Sequence, residues 1–264
     1  IGILTVLTQV SFATLLFTGP LRSELSLGVG MALAGAVVIG TVMSLLGSFP
    51  GTVGRPHELP VVVLALLVAR LVSRLPLSDP GADPLATVLV LIAGTTALFG
   101  GVALLLGRCR AGDLFRFLPY PVLGGFVAGS GALLIKGGIT VMLGIGADVS
   151  PWPLLVQGAE LERWLPGVLF AAAMAITARI WRSWLTIPLF MLGGILLFHA
   201  LLAGSHGSLA WAQQAGLVPE PPDPNVQGAL TLLQGRGPIA WGLLARQIPD
   251  ILSIVFIAVL GTLL

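Results

Sequence analysis

The sequence predicts an all-α protein that is integral to a membrane, and three observations support this prediction. Hydrophobic residues make up 56% of the 264 residues, and charged residues only 9%, whereas soluble domains carry about 25% charged residues. The mean hydropathy is +1.02. Several apolar runs approach the roughly 20 residues that a helix needs to cross a bilayer. The 35 glycines and 19 prolines suit closely packed and interrupted membrane helices.

The apolar runs predict the membrane helices in order. The first run ends at Gly19-Pro20, and a turn at residues 76–84 with Asp79 and Asp83 precedes the fourth. Arginines in the links at 108–116 and 179–182 predict that these links face the cytoplasm. The predicted runs are residues 3–17, 25–49, 50–72 (interrupted), 85–106, 122–143, 164–180, 185–202 and 248–264.

The third run is interrupted, and the rest of the chain is organised around it. Pro50, Gly51, Gly54 and Pro56 break the backbone before an apolar stretch at residues 59–72. That stretch would form a helix of roughly 21 Å at 1.5 Å per residue, which is short of the roughly 30 Å hydrocarbon core. The pattern predicts a discontinuous membrane helix whose N-terminus lies near the bilayer midplane.

The polar residues at this break are Arg55, His57 and Glu58. A helix N-terminus presents unpaired N–H groups and the positive end of the helix dipole, so it suits an anion. Ionisable side chains at membrane depth are costly and are therefore functional candidates. The alternative is that Pro56 and Pro60 start a helix at the membrane surface, with Arg55 and Glu58 paired among the headgroups.

Lys136 lies near the far end of the fifth predicted helix. We expect its long side chain to reach the membrane surface, and a role in binding is the alternative.

Several function classes are disfavoured by what the sequence lacks. The net charge of +2 is spread thinly without a basic run, which argues against nucleic-acid binding. The single Cys109 leaves no internal disulfide and no cysteine-based metal site. No HExxH motif, Walker A loop or closely spaced aspartate set on a helix is present. We therefore predict neither an enzyme nor a cofactor.

Four stretches resemble the SulP sulfate-permease family of anion transporters. The most specific is FRFLPYPVLGGFVAGSGALLIKG at residues 115–137, which is similar to the family signature around the fifth helix. LTQVSFATLLFTGPL at 7–21 resembles the first helix, and RPHELPVVVLA at 55–65 resembles the third. Residues 229–264 resemble the approach to the eighth helix, so the likeness extends over most of the chain.

The resemblance implies a fold of seven plus seven helices related by inverted repetition, with half-helices at positions three and ten. Both ends of the sequence fall within apolar runs, so we expect only about the first eight helices here. In that scheme residues 1–107 hold core helices one to four, and 108–203 hold gate helices five to seven. Residues 204–247 form an extracytoplasmic loop with surface-lying helical pieces, and 248–264 start helix eight. The core would move the anion past the gate in an elevator motion.

The resemblance also implies the residues of the substrate site. Gln9, Phe12 and Ala13 would line it from the first helix, and Pro56, His57 and Glu58 from the third. Arg55 stands where the family has a small glycine, and it adds a permanent positive charge to the site. Sulfate, bicarbonate, chloride and carboxylates all suit such a site, and the sequence does not choose among them.

Ion coupling is predicted from one acidic residue. The eighth helix of many members carries an acidic residue linked to Na⁺ or H⁺ coupling, but residues 252–264 contain none, which makes Na⁺ less suitable. Glu58 is the candidate proton carrier, since a carboxyl group in a low dielectric favours its protonated form. The alternative is an ion pair between Glu58 and Arg55.

Two other functions are considered, a nucleobase carrier and a scaffold or sensor, together with the membrane in which the protein lies. A nucleobase carrier of the same fold is disfavoured because such sites use acidic residues in the eighth and tenth helices. A transport-inactive scaffold or sensor stays open because Arg55 could fill the site. The resemblance to bacterial members implies a multi-pass protein of the cell inner (plasma) membrane, surrounded by lipid, with a homodimer common in the family.

Overall fold

The computed structural model describes residues 2–17, 19–47, 54, 58–110, 119–146, 148–156, 161–183, 185–204 and 237–263. Throughout these residues the regular structure is helical, and no β-strand is found among them. Six helices of the described part are long and apolar enough to cross a membrane. The prediction of an all-α membrane protein is therefore confirmed.

The helices follow the predicted apolar runs closely, and short 3₁₀ helices lie at Gly19–Glu24 and Leu154–Val156. The first helix has 15 residues, fewer than a bilayer crossing requires. The helices in chain order are α1 (Gly2–Leu16), α2 (Leu25–Leu46), α3 (Glu58–Ser78), α4 (Pro84–Arg108), α5 (Tyr120–Leu143), α6 (Leu161–Ile180), α7 (Thr186–Gly204), α8 (Trp241–Arg246) and α9 (Ile248–Leu263).

The predicted length of the third helix was wrong. Helix α3 has 21 residues, or about 31 Å at 1.5 Å per residue, and it continues past the predicted end at Val72. Arg70 and Arg74 end the apolar run without ending the helix, because arginine is a good helix former and both side chains lie on the exposed side. Pro76 lies inside the last turns. Helix length by itself therefore does not make α3 a half-helix.

Helix α3 is the centre of the described structure. It packs against α1, α4, α5, α8 and α9. Its buried side chains surround much of its circumference, and Leu71 and Val68 are almost completely inaccessible. They join buried residues of α1, α2, α4, α8 and α9 in one hydrophobic cluster. The hydrophobic core of the described residues is thus built around α3.

Polar contacts fix the start of α4 and the approach to α8. The Asp83 carboxylate accepts hydrogen bonds from the backbone N–H groups of Leu85 at 2.8 Å and Ala86 at 3.3 Å, as an N-cap residue does. The predicted turn before the fourth helix is confirmed. The buried Thr87 hydroxyl accepts a hydrogen bond from the N–H of Ala240 at 3.3 Å, which ties the segment before α8 to α4.

A short helix, α8, ends the predicted extracytoplasmic loop, and most of its residues are exposed. Helix α8 packs against α3, α4 and α9, and its Leu243 and Leu244 belong to the central cluster. Its apolar face is buried because two adjacent leucines follow Ala240, which Thr87 holds against α4. Residues 205–236 of that loop lie outside the described residues.

Helices α5, α6 and α7 form a chain of neighbours beside this core. Helix α5 packs against α1, α3 and α6, and α6 packs against α7. The Phe170 and Phe190 rings, with centroids 4.9 Å apart, join α6 to α7. Most apolar side chains of α6 and α7 are accessible, which suits a surface that lipid or further protein covers.

Gly28 is a point of close approach between α1 and α2. It is buried, and a Cβ atom there would overlap the ring of Phe17, whose side chain is only 4% exposed. We expect Gly28→Ala to lower the melting temperature of the full-length protein in detergent, because overpacking costs about 1–3 kcal/mol.

Gly30→Ala is the matched control, because nothing lies within 4 Å of the Cβ position at Gly30. An alanine in a helix stabilises by roughly 0.5–1 kcal/mol relative to glycine, so this variant should melt at the same or a higher temperature. Equal melting temperatures for the two variants would show that the Phe17 ring moves aside freely.

Candidate functional site

The predicted residues of the first helix lie on one face of α1. Gln9 and Ala13 are one turn apart and are 4% and 1% exposed, and Phe12 between them is half-buried. Residues three and four apart share a helix face. Helix α1 packs against α2, α3 and α5, so this face is turned into the protein.

Gln9 is the most unusual polar side chain on this face. Its amide offers two donor hydrogens and an acceptor oxygen, yet within the described part of the chain no hydrogen bond to it is found. The neighbouring hydroxyls are satisfied, since Thr8 and Ser11 each donate to a backbone oxygen one turn earlier at 2.9 Å. A buried amide costs free energy unless it finds a partner, so Gln9 is suited to meet a ligand.

Glu58 begins α3 and is half-buried. Its carboxylate belongs to the first turn, where the helix dipole is positive and an acidic group is stabilised. Arg55, Pro56 and His57 lie outside the described residues, so their predicted roles stay predictions.

Gly54, four residues before α3, packs against α2. A Cβ atom at Gly54 would lie 2.5 Å from Cγ of Met43 and 3.1 Å from Cγ2 of Ile39. The Gly54 backbone therefore packs against α2, and Ile39 lies about 10 Å along the axis from the end of that helix at 1.5 Å per residue. The chain has turned back along α2 before α3 begins at Glu58, which suits an interrupted segment.

A second region of interest is the junction of α1, α3 and α5. Leu15 and Val62 pack together with Ala65, and Gly137 of α5 approaches them closely. A Cβ atom at Gly137 would lie 3.4 Å from Cδ2 of Leu15 and 3.6 Å from Cγ1 of Val62. A narrow cleft at this junction is lined by Leu15, Val62, Leu66, Leu133, Lys136, Gly137 and Thr140.

Lys136 is the charged residue of that lining. The sequence predicted that it reaches the membrane surface, whereas the structure places its half-buried side chain at the cleft. The position at the cleft favours the binding role that the sequence left as the alternative. The signal available was a lysine within an apolar helix directly before a pair of glycines.

Comparisons with known proteins were made for the whole chain. A sequence model described as the sulfate permease family matches residues 1–264. The vacuolar basic amino acid transporter VSB1 of Saccharomyces cerevisiae is 26% identical over an alignment 276 residues long, gaps included, that takes in 98% of this chain. The chain spans only 26% of the length of that relative. No solved structure gives a significant match.

Proposed function

The chain belongs to the sulfate permease family, and from this premise we propose that it forms part of a secondary transporter of small anions. The family and the apolar helices make it a multi-pass membrane transport protein. The observation that supports an anion site most strongly is Gln9, a residue that is only 4% exposed and whose side chain makes no hydrogen bond within the described residues.

The proposed site lies between α1 and the start of α3. Leu15 packs against Val62, which is one turn into α3. If successive spans alternate in direction and the interrupted stretch counts as a crossing, α1 and α3 are parallel. Gln9 then lies about 9 Å back along α1 from this contact at 1.5 Å per residue, which is close to the level of Glu58.

Each residue of the proposed site would contribute to anion binding in a different way. The N–H groups at the start of α3 supply the positive end of the helix dipole, and Arg55 adds a full charge. Gln9 donates hydrogen bonds, while Phe12 and Ala13 form an apolar wall that excludes water. Pro56 and His57 would complete the site from the interrupted stretch. Sulfate, bicarbonate, chloride or a carboxylate would suit it.

Glu58 would couple anion binding to a proton. An anion bound at the same helix end repels the ionised carboxylate. Binding of the anion and binding of a proton by Glu58 would therefore each raise the affinity for the other. Coupling to H⁺ is therefore proposed ahead of Na⁺. The alternative is that Glu58 pairs with Arg55 and only holds that side chain in place.

The packing supports a division into a moving core and a gate. Helices α1 to α4 share a hydrophobic cluster with α8 and α9, whereas α6 and α7 reach the rest of the described structure through α5. We propose that α1 to α4 and α9 move as a unit against α5 to α7 and carry the anion past them. A homodimer and a location in the cell inner (plasma) membrane complete the proposal.

The yeast relative favours a second candidate substrate, since its name describes a transporter of basic amino acids. A cationic substrate requires acidic partners, and Glu58 is the acidic residue of the proposed site. Arg55 would oppose such a substrate, so we favour the anion. A nucleobase carrier stays disfavoured because Asp250, in the first turn, is the acidic residue of α9 and none follows it there. A scaffold role would follow only if transport is absent.

Uptake of labelled sulfate, bicarbonate and chloride into proteoliposomes holding the full-length protein tests the proposal. We expect saturable uptake of at least one anion without a Na⁺ gradient. The Arg55→Gly variant tells whether the arginine binds the anion or fills the site, since uptake would fall in the first case and rise in the second. Absence of uptake by both proteins would overturn the transporter proposal and favour the scaffold.

A further inference from the structure

We propose that Lys136 of α5 is a second anion-binding residue, placed where α5 meets α1 and α3. It would take up the transported anion on the α5 side and thereby favour anions over cations. This inference rests on the proposed function. The ligand class is the same small inorganic or carboxylate anion.

The position of Lys136 separates it from an ordinary lysine at a helix end. It lies about 10 Å along α5 from the last residue, Leu143, at 1.5 Å per residue. Its half-buried side chain faces a cleft whose other walls are Leu15 of α1 and Val62 and Leu66 of α3. A lysine that only extends to the membrane surface does not need to line a junction between three helices.

Lys136 has no counter-charge among the described residues. Within the part of the chain that the structure describes, no ion pair or hydrogen bond of its ammonium group is found. The cleft lining around it is apolar apart from Thr140, and the Thr140 hydroxyl donates instead to the Lys136 backbone oxygen at 2.8 Å. A half-buried lysine without a partner among the described residues gains from an anion, since charges removed from water are stable when paired.

Lys136 lies close enough to the proposed site to act on it electrostatically. Val62 and Leu66 lie one and two turns from Glu58, or about 6 and 12 Å along α3 at 1.5 Å per residue. At roughly 10 Å and an effective dielectric constant of about 20, one unit charge changes the affinity for another by roughly tenfold. Lys136 is therefore close enough to attract an anion to the start of α3 and to repel a cation.

The close approach at Gly137 makes this position sensitive to movement. Gly137 lets α5 lie against Leu15 and Val62, so any sliding of α1 and α3 past α5 moves these side chains past Lys136. In the proposed elevator motion, the core would carry the anion past Lys136, whose positive charge would attract it along this path.

The test measures anion uptake by the full-length protein in phosphatidylcholine proteoliposomes, with Lys136→Gln and Lys136→Arg beside the native protein. We expect Lys136→Gln to raise the KM for the transported anion about tenfold with little change in kcat, and Lys136→Arg to restore most of the loss. Arg182→Gln is the matched control, because it removes an exposed cation from the α6–α7 link, and it should leave the KM unchanged.

A thiol reporter tests binding without transport. In a cysteine-free background that includes Cys109→Ala, the thiol in Leu133→Cys lines the same cleft. Added sulfate, bicarbonate or chloride should slow its modification by a small thiol reagent when Lys136 is present, and should not do so in the Lys136→Gln protein. Protection that instead follows the content of anionic lipid would identify a lipid headgroup as the ligand and overturn the inference.

The outcomes separate the two proposals. Native anion uptake with an unchanged KM in Lys136→Gln, together with no protection of the thiol, would show that Lys136 has no binding role. If the native protein takes up no anion, the proposed function fails, and the thiol assay alone decides whether Lys136 binds anions.

Discussion

Replacing Gln9 with leucine is expected to lower anion uptake at limiting substrate by about tenfold or more. Gln9 is only 4% exposed and its side chain makes no hydrogen bond within the described residues, so the proposed partner is the anion. A hydrogen bond to a charged group contributes about 1.5–3 kcal/mol, and every 1.4 kcal/mol is roughly tenfold in affinity. The measurement is the KM and kcat of labelled anion uptake in proteoliposomes.

Protein stability distinguishes a binding role of Gln9 from a structural one. Removing a buried polar group that lacks a protein partner leaves no orphaned group behind, so Gln9→Leu should keep or raise the melting temperature. Ser11→Ala on the same helix is the matched control, since the Ser11 side chain is exposed and bonds only to Leu7. A loss of uptake that is accompanied by a lower melting temperature would point to a structural role instead.

Replacing Glu58 with glutamine is expected to abolish the pH dependence of anion uptake. If Glu58 carries the coupled proton, as proposed, uptake should rise as the pH falls and should follow an inward proton gradient. Glutamine has nearly the same shape but cannot titrate, so the variant should transport the anion without regard to pH. Initial rates at two pH values, with and without a proton gradient, measure the effect.

Glu24→Gln is the control for Glu58→Gln, because Glu24 is an acidic residue of the 3₁₀ helix before α2 and lies away from the proposed site. It should keep the native pH dependence. If Glu58→Gln lowers uptake equally at every pH and keeps the proton dependence, Glu58 pairs with Arg55 and carries no proton.

The sequence predicted the spans well because bilayer crossing is a local property. Each long apolar run became a helix, since backbone groups in lipid must be satisfied within the segment itself. The extent of α3 was underestimated because Arg70 and Arg74 change the hydropathy but not the helical preference. At these two arginines the hydropathy falls while the helix propensity stays high, and the end of α3 follows the propensity.

The features that arise from tertiary packing were harder to predict. Leu243 and Leu244 of α8 are buried where Thr87 and Asp83 bond to the segment before that helix, contacts between residues far apart in the chain. The cleft at Lys136 exists because Gly137 lets α5 approach Leu15 and Val62. Neither contact can be predicted from the residue spacing within a single helix. For the proposed site, the burial of Gln9 and Ala13 is visible, whereas Arg55, Pro56 and His57 rest on sequence and resemblance.

The most direct test of the account is the sign of the charge that the full-length protein transports. Proteoliposomes would be supplied with labelled sulfate, bicarbonate, chloride and arginine in parallel, because the yeast relative is named as a transporter of basic amino acids. For an anion transporter we expect saturable uptake of at least one anion, no uptake of arginine, and no inhibition of anion uptake by excess arginine. Saturable arginine uptake without uptake of any anion would contradict it.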